Sequence, residues 1–213
     1  MALHFEPVTV GPFQENTWLI GPEGAGPCIV VDPGAFDATE TERLVQAMER
    51  RHWTPAAIVN THGHIDHIAG IPALQQRYDL PLYIHPGEKM WIEHVAEQCA
   101  LFGLPPLPEP RVDRWLEDGE QLCFGPIAFE VRHVPGHTPG GCAFVFDGHV
   151  VTGDTLFAGS IGRTDFPGGS FPQLERSIRE KLYTLPDETQ VHSGHGPDTT
   201  IGRERRHNPF VRA

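Results

Sequence analysis

The spacing of apolar residues predicts alternating strands and helices in the first half of the chain. The runs "CIVVD" (28–32) and "AAIVN" (56–60) are short, apolar and rich in β-branched residues, which is typical of buried strands. Between them, residues 36–52 repeat apolar side chains at helical spacing, and Thr39 with Glu42 predicts a capping box near the helix start. The alternation continues with a helix over 68–79, a strand over 80–85 and a helix over 87–103. This order predicts layered sheets with helices on their outer faces.

The pattern changes after the proline-rich segment "LPPLPEP" (104–110), which predicts a linker or a crossing between two halves of similar content. Strands dominate beyond it: the pattern predicts them over 127–134, over 189–196 and in a hairpin over 141–154 that turns at Asp147-Gly148. One helix, over 171–185, lies among these strands. We interpret residues 1–213 as a single compact domain.

Composition excludes several classes of protein. A chain of 213 residues can bury a large core. Its net charge of −12 argues against a nucleic-acid partner, since phosphate binding needs clustered Lys and Arg. No apolar run is long enough for a membrane span, and no basic leader precedes one, so we expect a cytoplasmic protein with no membrane partner. The four cysteines show no CxxC spacing, which favours free thiols in a reducing compartment.

Candidate chemistry is concentrated in "VNTHGHIDHIAG", directly after the strand predicted over 56–60. In an extended H-x-H segment, His62 and His64 point to the same side and can reach one ion. Asp66 and His67 follow as the chain turns into the next helix, where they can reach a second ion. Imidazole and carboxylate ligands together suit zinc, iron or manganese better than calcium.

Three further candidate ligands also follow predicted strands. His137 lies in "HVPGHTPG", Asp154 in "VVTGDTLF" and His195 in "VHSGHGPD". Side chains at strand ends are held by a rigid scaffold and open to a cleft, which favours a shared site. His192, by contrast, lies inside its strand, and we expect it to be a packed or hydrogen-bonded histidine.

The pattern H-x-H-x-D-H, followed by a lone His, a lone Asp and a lone His, resembles the metallo-β-lactamase fold superfamily. The resemblance implies an αββα sandwich, with two mixed β-sheets flanked by helices and a metal site at one edge. It also implies two divalent metal ions, with zinc expected first and iron or manganese as alternatives. The implied ligands are His62, His64 and His137 for one ion, Asp66, His67 and His195 for the other, and Asp154 as the bridging carboxylate.

Within that superfamily, "THGHIDHIAG", "PGHTPG", "GDTLFAGSIGRTDFPGG" and "GHGPDTTIGRERRHNPF" look most like glyoxalase II, in particular its short bacterial relatives. That resemblance implies a thioester hydrolase acting on a small glutathione-derived substrate, typically S-lactoylglutathione. Full-length glyoxalase II enzymes carry a C-terminal helical domain that binds glutathione. Only 18 residues follow His195, so we expect that domain to be absent.

The expected mechanism is attack of a metal-bound hydroxide on the thioester carbonyl. Asp66 could orient that hydroxide by accepting its proton. Arg163, in "SIGRTDF", is either a contact for an anionic substrate or a partner of Asp165 that holds the loop.

A rival of another reaction class is an iron-dependent persulfide dioxygenase of the same fold, which uses the first metal site alone. A nuclease is disfavoured by the acidic charge, and a true β-lactamase by the second-site ligands. Oligomeric state, metal identity and physiological substrate stay open.

Overall fold

The computed structural model describes residues 2–212, and most of its strands form two six-stranded sheets. The first sheet has the order β1 (Leu3–Val10), β2 (Glu15–Pro22), β3 (Gly26–Val31), β4 (Trp53–Val59), β5 (Leu82–Ile84) and β6 (Arg114–Trp115). Its first three strands are antiparallel and β3 to β6 are parallel. It is therefore a mixed sheet.

The second sheet is also mixed. In chain order its strands are β7 (Gln121–Phe124), β8 (Ile127–His133), β9 (Cys142–Phe146), β10 (His149–Gly153), β13 (Gln190–Ser193) and β14 (Thr199–Thr200). Strands β10 and β13 are parallel, and every other pair of neighbouring strands in this sheet is antiparallel. A separate hairpin, β11 (Leu156–Phe157) with β12 (Ser160–Ile161), follows β10. The predicted hairpin is confirmed: β9 and β10 meet at Asp147-Gly148.

Strand alternation divides the core into three apolar layers, because successive side chains point to opposite faces of a sheet. Between the sheets lie Trp18, Ile20, Val31 and Val59 from the first sheet with Phe129, Val131, Phe144 and Val151 from the second. Outside the first sheet, Leu19, Val30 and Ile58 join Leu44, Met48 and Leu74. Outside the second sheet, Ala143, Val150 and Val191 join Leu174, Ile178 and Ile201. This layering confirms the αββα sandwich.

Seven α-helices cover these faces in the described part of the chain: α1 (Ala38–Arg50), α2 (Ile65–Ile68), α3 (Ile71–Tyr78), α4 (Lys89–Glu93), α5 (Val95–Leu101), α6 (Phe171–Ser177) and α7 (Ile201–His207). A 3₁₀ turn, Pro86–Glu88, precedes α4, and a π-helical turn, Ile178–Leu182, extends α6. None of the helices in residues 2–212 has the length and hydropathy to cross a bilayer. None of the cysteines in this range is disulfide-bonded, as predicted.

The predicted capping box of α1 is wrong by two residues. Asp37, with extended φ and ψ angles, is the N-cap, and its Oδ1 accepts a hydrogen bond of 2.8 Å from the Glu40 backbone N–H. The Glu40 carboxylate accepts two more backbone N–H groups, those of Phe36 and Gly11, each at 2.8 Å. Glu40 thereby ties the helix start to the end of β1, which is a tertiary constraint that local spacing does not contain.

Two other predictions need correction. The helix predicted over 87–103 is broken at His94, whose φ of −124° and ψ of 36° are not helical. The break sets α5 so that Gln98 accepts the Ile65 N–H at 2.9 Å and donates to the Gly63 carbonyl at 3.0 Å. The segment 104–110 was predicted to be a linker or a midpoint crossing; it joins α5 to β6 as a linker would, but it is not the crossing, since the chain returns to the first sheet as β6 before entering the second.

Candidate metal centre

All seven predicted ligands lie in loops or first helical turns at one edge of the two sheets. His62 and His64 follow β4, while Asp66 and His67 lie in the short helix α2. The other three follow strands of the second sheet: His137 lies between β8 and β9, Asp154 follows β10 and His195 follows β13. The Cys142 N–H donates to the Thr61 carbonyl at 2.8 Å and holds the two sheets together beside the site.

The first cluster consists of His62, His64 and His137. One ring nitrogen from each lies within 4.8 Å of the other two, and all three side chains are buried. His64 Nδ1 and His137 Nε2 are 2.9 Å apart. Three imidazoles converging on one point form a donor set that fits a transition-metal ion.

The second cluster consists of Asp66, His67 and His195, whose ligand atoms also lie within 4.8 Å of one another. Asp66 Oδ2 is 3.2 Å from His195 Nε2 and 3.8 Å from His67 Nε2. Asp154 lies between the two clusters. Its Oδ2 is 3.7 Å from His137 Nε2 in the first cluster and 3.6 Å from His195 Nε2 in the second, which is the position a bridging carboxylate needs.

Three of the buried rings, those of His62, His67 and His137, have a partner that turns the other nitrogen toward the clusters. His62 Nδ1 is 3.0 Å from Thr61 Oγ1, and His67 Nδ1 is 3.0 Å from Asp32 Oδ2. His137 Nδ1 is 2.7 Å from the Arg163 carbonyl. In proteins that bind metals, such partners fix the tautomer and the orientation of the ligating ring. Within residues 2–212, the Nε2 atoms of His62 and His67 are buried and lack a hydrogen-bond partner, so they are available as ligand atoms for a cation.

The two clusters differ in charge. Burial, with His137 close by, lowers the pKa of His64 to about 3, and burial likewise lowers the pKa of His62 and of His137. These rings are therefore neutral at neutral pH, which is the state that binds metal. Burial also disfavours charge on His67, but Asp154 and Asp66 outweigh it and raise the pKa of that imidazole. The carboxylates of the second cluster therefore favour positive charge there, whereas the rings of the first cluster are neutral.

Glu88 joins the two loops that carry the first cluster. Its buried carboxylate accepts the Gly63 N–H at 2.8 Å and the Gly140 N–H at 2.6 Å. Burial raises the pKa of Glu88 to about 7. A Cβ on Gly63 would lie 2.8 Å from Trp91 Cβ, so this loop approaches α4 too closely for a side chain.

A cavity of about 510 Å³ opens over the two clusters. His64, Asp66, His137, Asp154 and His195 line its floor, and Phe13, Met90, Trp91, Leu101, Phe102 and Phe166 form most of its wall. Arg163 also lines the cavity, with its guanidinium 3.9 Å from the centre of the Phe166 ring. Two 2.7 Å hydrogen bonds pair that guanidinium with Asp165. This contact agrees with the interpretation of Arg163 as a partner of Asp165 that holds the loop.

His192 has the structural role that was predicted for it. Its ring is buried, with Nε2 3.0 Å from His149 Nδ1 and Nδ1 3.1 Å from Asp198 Oδ2. Two supporting carboxylates, Asp32 and Glu88, were not predicted from the sequence. Asp32 follows a buried strand, the same signal that marked the ligands, whereas Glu88 has no comparable local signal.

Comparison with known proteins agrees with this geometry. A family model described as the Metallo-beta-lactamase superfamily matches residues 10–195. The hydroxyacylglutathione hydrolase GloC of Haemophilus influenzae is 39% identical over 213 residues, which cover 98% of each chain.

Three crystal structures extend the likeness to the fold. BLEG-1, a B3 metallo-beta-lactamase, has a TM-score of 0.90 and 36% identity, covering 99% of this chain and 100% of that one. TTHA1623 in a di-iron-bound form has a TM-score of 0.85 and 41% identity, covering 97% of this chain and 100% of that one. ETHE1 from Myxococcus xanthus has a TM-score of 0.79 and 28% identity, covering 97% of this chain and 83% of that one. The protein therefore belongs to the metallo-beta-lactamase superfamily.

Proposed function

We propose that this protein is a hydrolase with two metal ions that cleaves a small-molecule thioester, with S-lactoylglutathione as the first candidate substrate. The observation that carries the proposal is the pair of ligand clusters that share Asp154 at the floor of one cavity. The likeness to GloC, a hydroxyacylglutathione hydrolase, supports the choice of substrate. Because this chain's own residues line the cavity, we also propose that it works as a single domain.

The residues present fit two divalent ions. His62, His64 and His137 would hold one, Asp66, His67 and His195 the other, and Asp154 both. Zinc suits this donor set, while iron or manganese would also fit, and the di-iron form of TTHA1623 supports iron as an alternative. Such ions, when bound, supply a Lewis acid for the carbonyl oxygen and lower the pKa of a coordinated water.

The chain's own groups account for proton transfer and for bond specificity. Asp66 lines the cavity, so its carboxylate can accept a proton from an attacking water. A departing thiol has a pKa of about 8.5, so it can leave as the thiolate without a strong general acid. An amide nitrogen would have to be protonated as it leaves, so a thioester makes a smaller demand on this site than a β-lactam or a peptide.

Arg163 is the proposed contact for an anionic group on the substrate. Its side chain is about half exposed and lines the cavity, so it can exchange Asp165 for a substrate carboxylate. Because both ion pairs are exposed to water, the exchange costs little free energy.

A persulfide dioxygenase remains the second candidate, supported by the likeness to ETHE1. It would need a single iron on the first cluster and would consume oxygen. The two functions separate in one experiment on protein of known metal content. Loss of the S-lactoylglutathione thioester is followed by absorbance, oxygen uptake with glutathione persulfide is followed by electrode, and a β-lactam serves as the amide control. Thioester turnover without oxygen uptake supports the hydrolase; oxygen uptake without thioester turnover refutes it.

A further inference from the structure

The wall of the cavity is apolar to an extent that the proposed reaction does not require. We define the apolar wall as Phe13, Met90, Trp91, Leu101, Phe102 and Phe166. Six large apolar side chains stand out as exposed in the described part of the chain, and three of them, Met90, Leu101 and Phe102, belong to this wall. Leu101 is 69% exposed and Phe102 is 40% exposed. A grouped exposed apolar surface in a cleft is typical of a ligand-binding surface.

The apolar wall begins at the metal centre itself. The Trp91 ring lies edge-on to His64, with centroids 4.5 Å apart, and the Phe166 ring lies 5.4 Å from the same imidazole. Phe102 continues the surface at 6.4 Å from Phe166, and Phe13 follows at 5.2 Å from Phe102. A substrate whose carbonyl carbon lies at the floor would therefore place an adjoining group directly against aromatic rings.

The cavity offers little to a charged thiol carrier. Among the described residues that line it, Arg163 is the only Lys or Arg, and it can pair with a substrate carboxylate only by exchange with Asp165. Glu97, the lining carboxylate that is not a proposed metal ligand, would repel an anion. Glutathione has two carboxylates at neutral pH, so at most one of them can find a cationic partner here. Biological thiol carriers are polar, and the apolar half of such a thioester is its acyl group.

We propose that the apolar wall binds the acyl group of the substrate and selects thioesters whose acyl group is bulky and apolar, such as an aryl or medium-chain acyl group. This inference rests on the proposed function and narrows its substrate class. The polar thiol carrier then lies toward the rim, near Arg163. S-lactoylglutathione is hydrolysed but is not the preferred substrate.

The experiment holds the thiol constant and changes only the acyl side chain. S-mandeloylglutathione differs from S-lactoylglutathione by a phenyl group in place of a methyl group. We expect kcat/KM to be at least about tenfold higher for the mandeloyl thioester, since a single methylene in an apolar pocket already gives about that factor. In Leu101→Ala and in Phe102→Ala the preference falls to a few-fold at most. Phe210→Ala removes an exposed phenylalanine away from the cavity and keeps the wild-type preference.

A binding measurement separates failure of this inference from failure of the proposed function. S-benzylglutathione and S-methylglutathione are thioethers that cannot be hydrolysed, and calorimetry with metal-free protein compares their affinities. We expect the benzyl compound to bind about tenfold more tightly to the wild type, and Phe102→Ala to remove that difference. If neither thioester is hydrolysed but the benzyl preference is present, the function fails and the apolar wall stands. Equal binding of the two thioethers, or a mandeloyl preference that survives in both wall variants, overturns the inference.

Discussion

Asp32→Asn tests how the second cluster is held. Asp32 is buried, and its Oδ1 accepts the Thr61 N–H at 2.7 Å while its Oδ2 lies 3.0 Å from His67 Nδ1. A carboxylate only accepts hydrogen bonds, so in the neutral form that binds metal His67 carries its proton on Nδ1, and Nε2 keeps its lone pair. In the variant the Asn oxygen is held by the Thr61 N–H, so the NH₂ group faces His67 and forces the proton onto Nε2.

The structure allows the size of this effect to be bounded. His67 is completely buried and cannot turn to water for another partner, so its wrong tautomer persists. Removing an outer partner of a ligating histidine costs about 10–100-fold in metal affinity, which is about 1.4–2.7 kcal/mol. We therefore expect the second equivalent of zinc to bind at least about tenfold more weakly. The first equivalent should also weaken, because the Thr61 hydroxyl that faces His62 Nδ1 donates to Asp32 Oδ2.

The assay is competition between the protein and a chromophoric chelator, which gives a dissociation constant for each equivalent. Asp198→Asn is the matched control, because it removes the carboxylate 3.1 Å from His192 Nδ1, a histidine outside both clusters. Unfolding in urea checks that both variants fold. Two zinc ions bound to Asp32→Asn with wild-type constants would refute this reasoning, as would an equal loss in Asp198→Asn.

Three further predictions concern stability. Asp37→Ala should lower the free energy of unfolding by about 1 kcal/mol, since it removes the N-cap of α1. Thr39→Ala should change this free energy by less than about 0.5 kcal/mol. If urea unfolding showed Thr39→Ala to be the more destabilising variant, the assigned cap would be contradicted. Gly153→Ala should lower the free energy of unfolding by about 1–3 kcal/mol, because Gly153 has a φ of +48° and a Cβ would lie 2.2 Å from Thr61 Oγ1. Wild-type stability of this variant would refute the prediction. Burial raises the pKa of Glu88 to about 7 from an ordinary 4.5. The contribution of Glu88 to the free energy of unfolding is therefore fully present below about pH 4.5. It is lost as the pH rises through 7, at up to about 1.4 kcal/mol per pH unit. Glu88→Gln cannot titrate, so its stability relative to metal-free wild type should rise over that range; parallel pH profiles would exclude the effect.

The candidate ligands could be picked out from the sequence because each signal is local. His62 and His64 share a short extended segment, and Asp154 and His195 each directly follow a strand whose apolar pattern is clear. The layered fold could be predicted for the same reason, since strands with β-branched runs alternate with helical periodicity. What the pattern leaves out is how His137, Asp154 and His195 divide between two ions; that assignment came from the resemblance to a family.

The supporting contacts could not be predicted, because their partners are distant in the chain. Asp32 and Thr61 are 29 residues apart, and Glu88 and Gly140 are 52 apart. The cap of α1 shows the same limit of local reasoning, since both Asp37–Glu40 and Thr39–Glu42 have suitable spacing and the contact of Glu40 with Gly11 decides between them. Tertiary contacts thus determine the details that residue spacing leaves open.

The proposed function requires two metal ions, held around Asp154, for thioester hydrolysis. The most direct measurement is titration of zinc, iron or manganese into metal-free protein while S-lactoylglutathione hydrolysis is recorded, with His64→Ala as the inactive control. We expect activity to rise to a maximum at two ions per chain and to be abolished in the control variant. Full activity at one ion, or hydrolysis that does not depend on added metal, would contradict it.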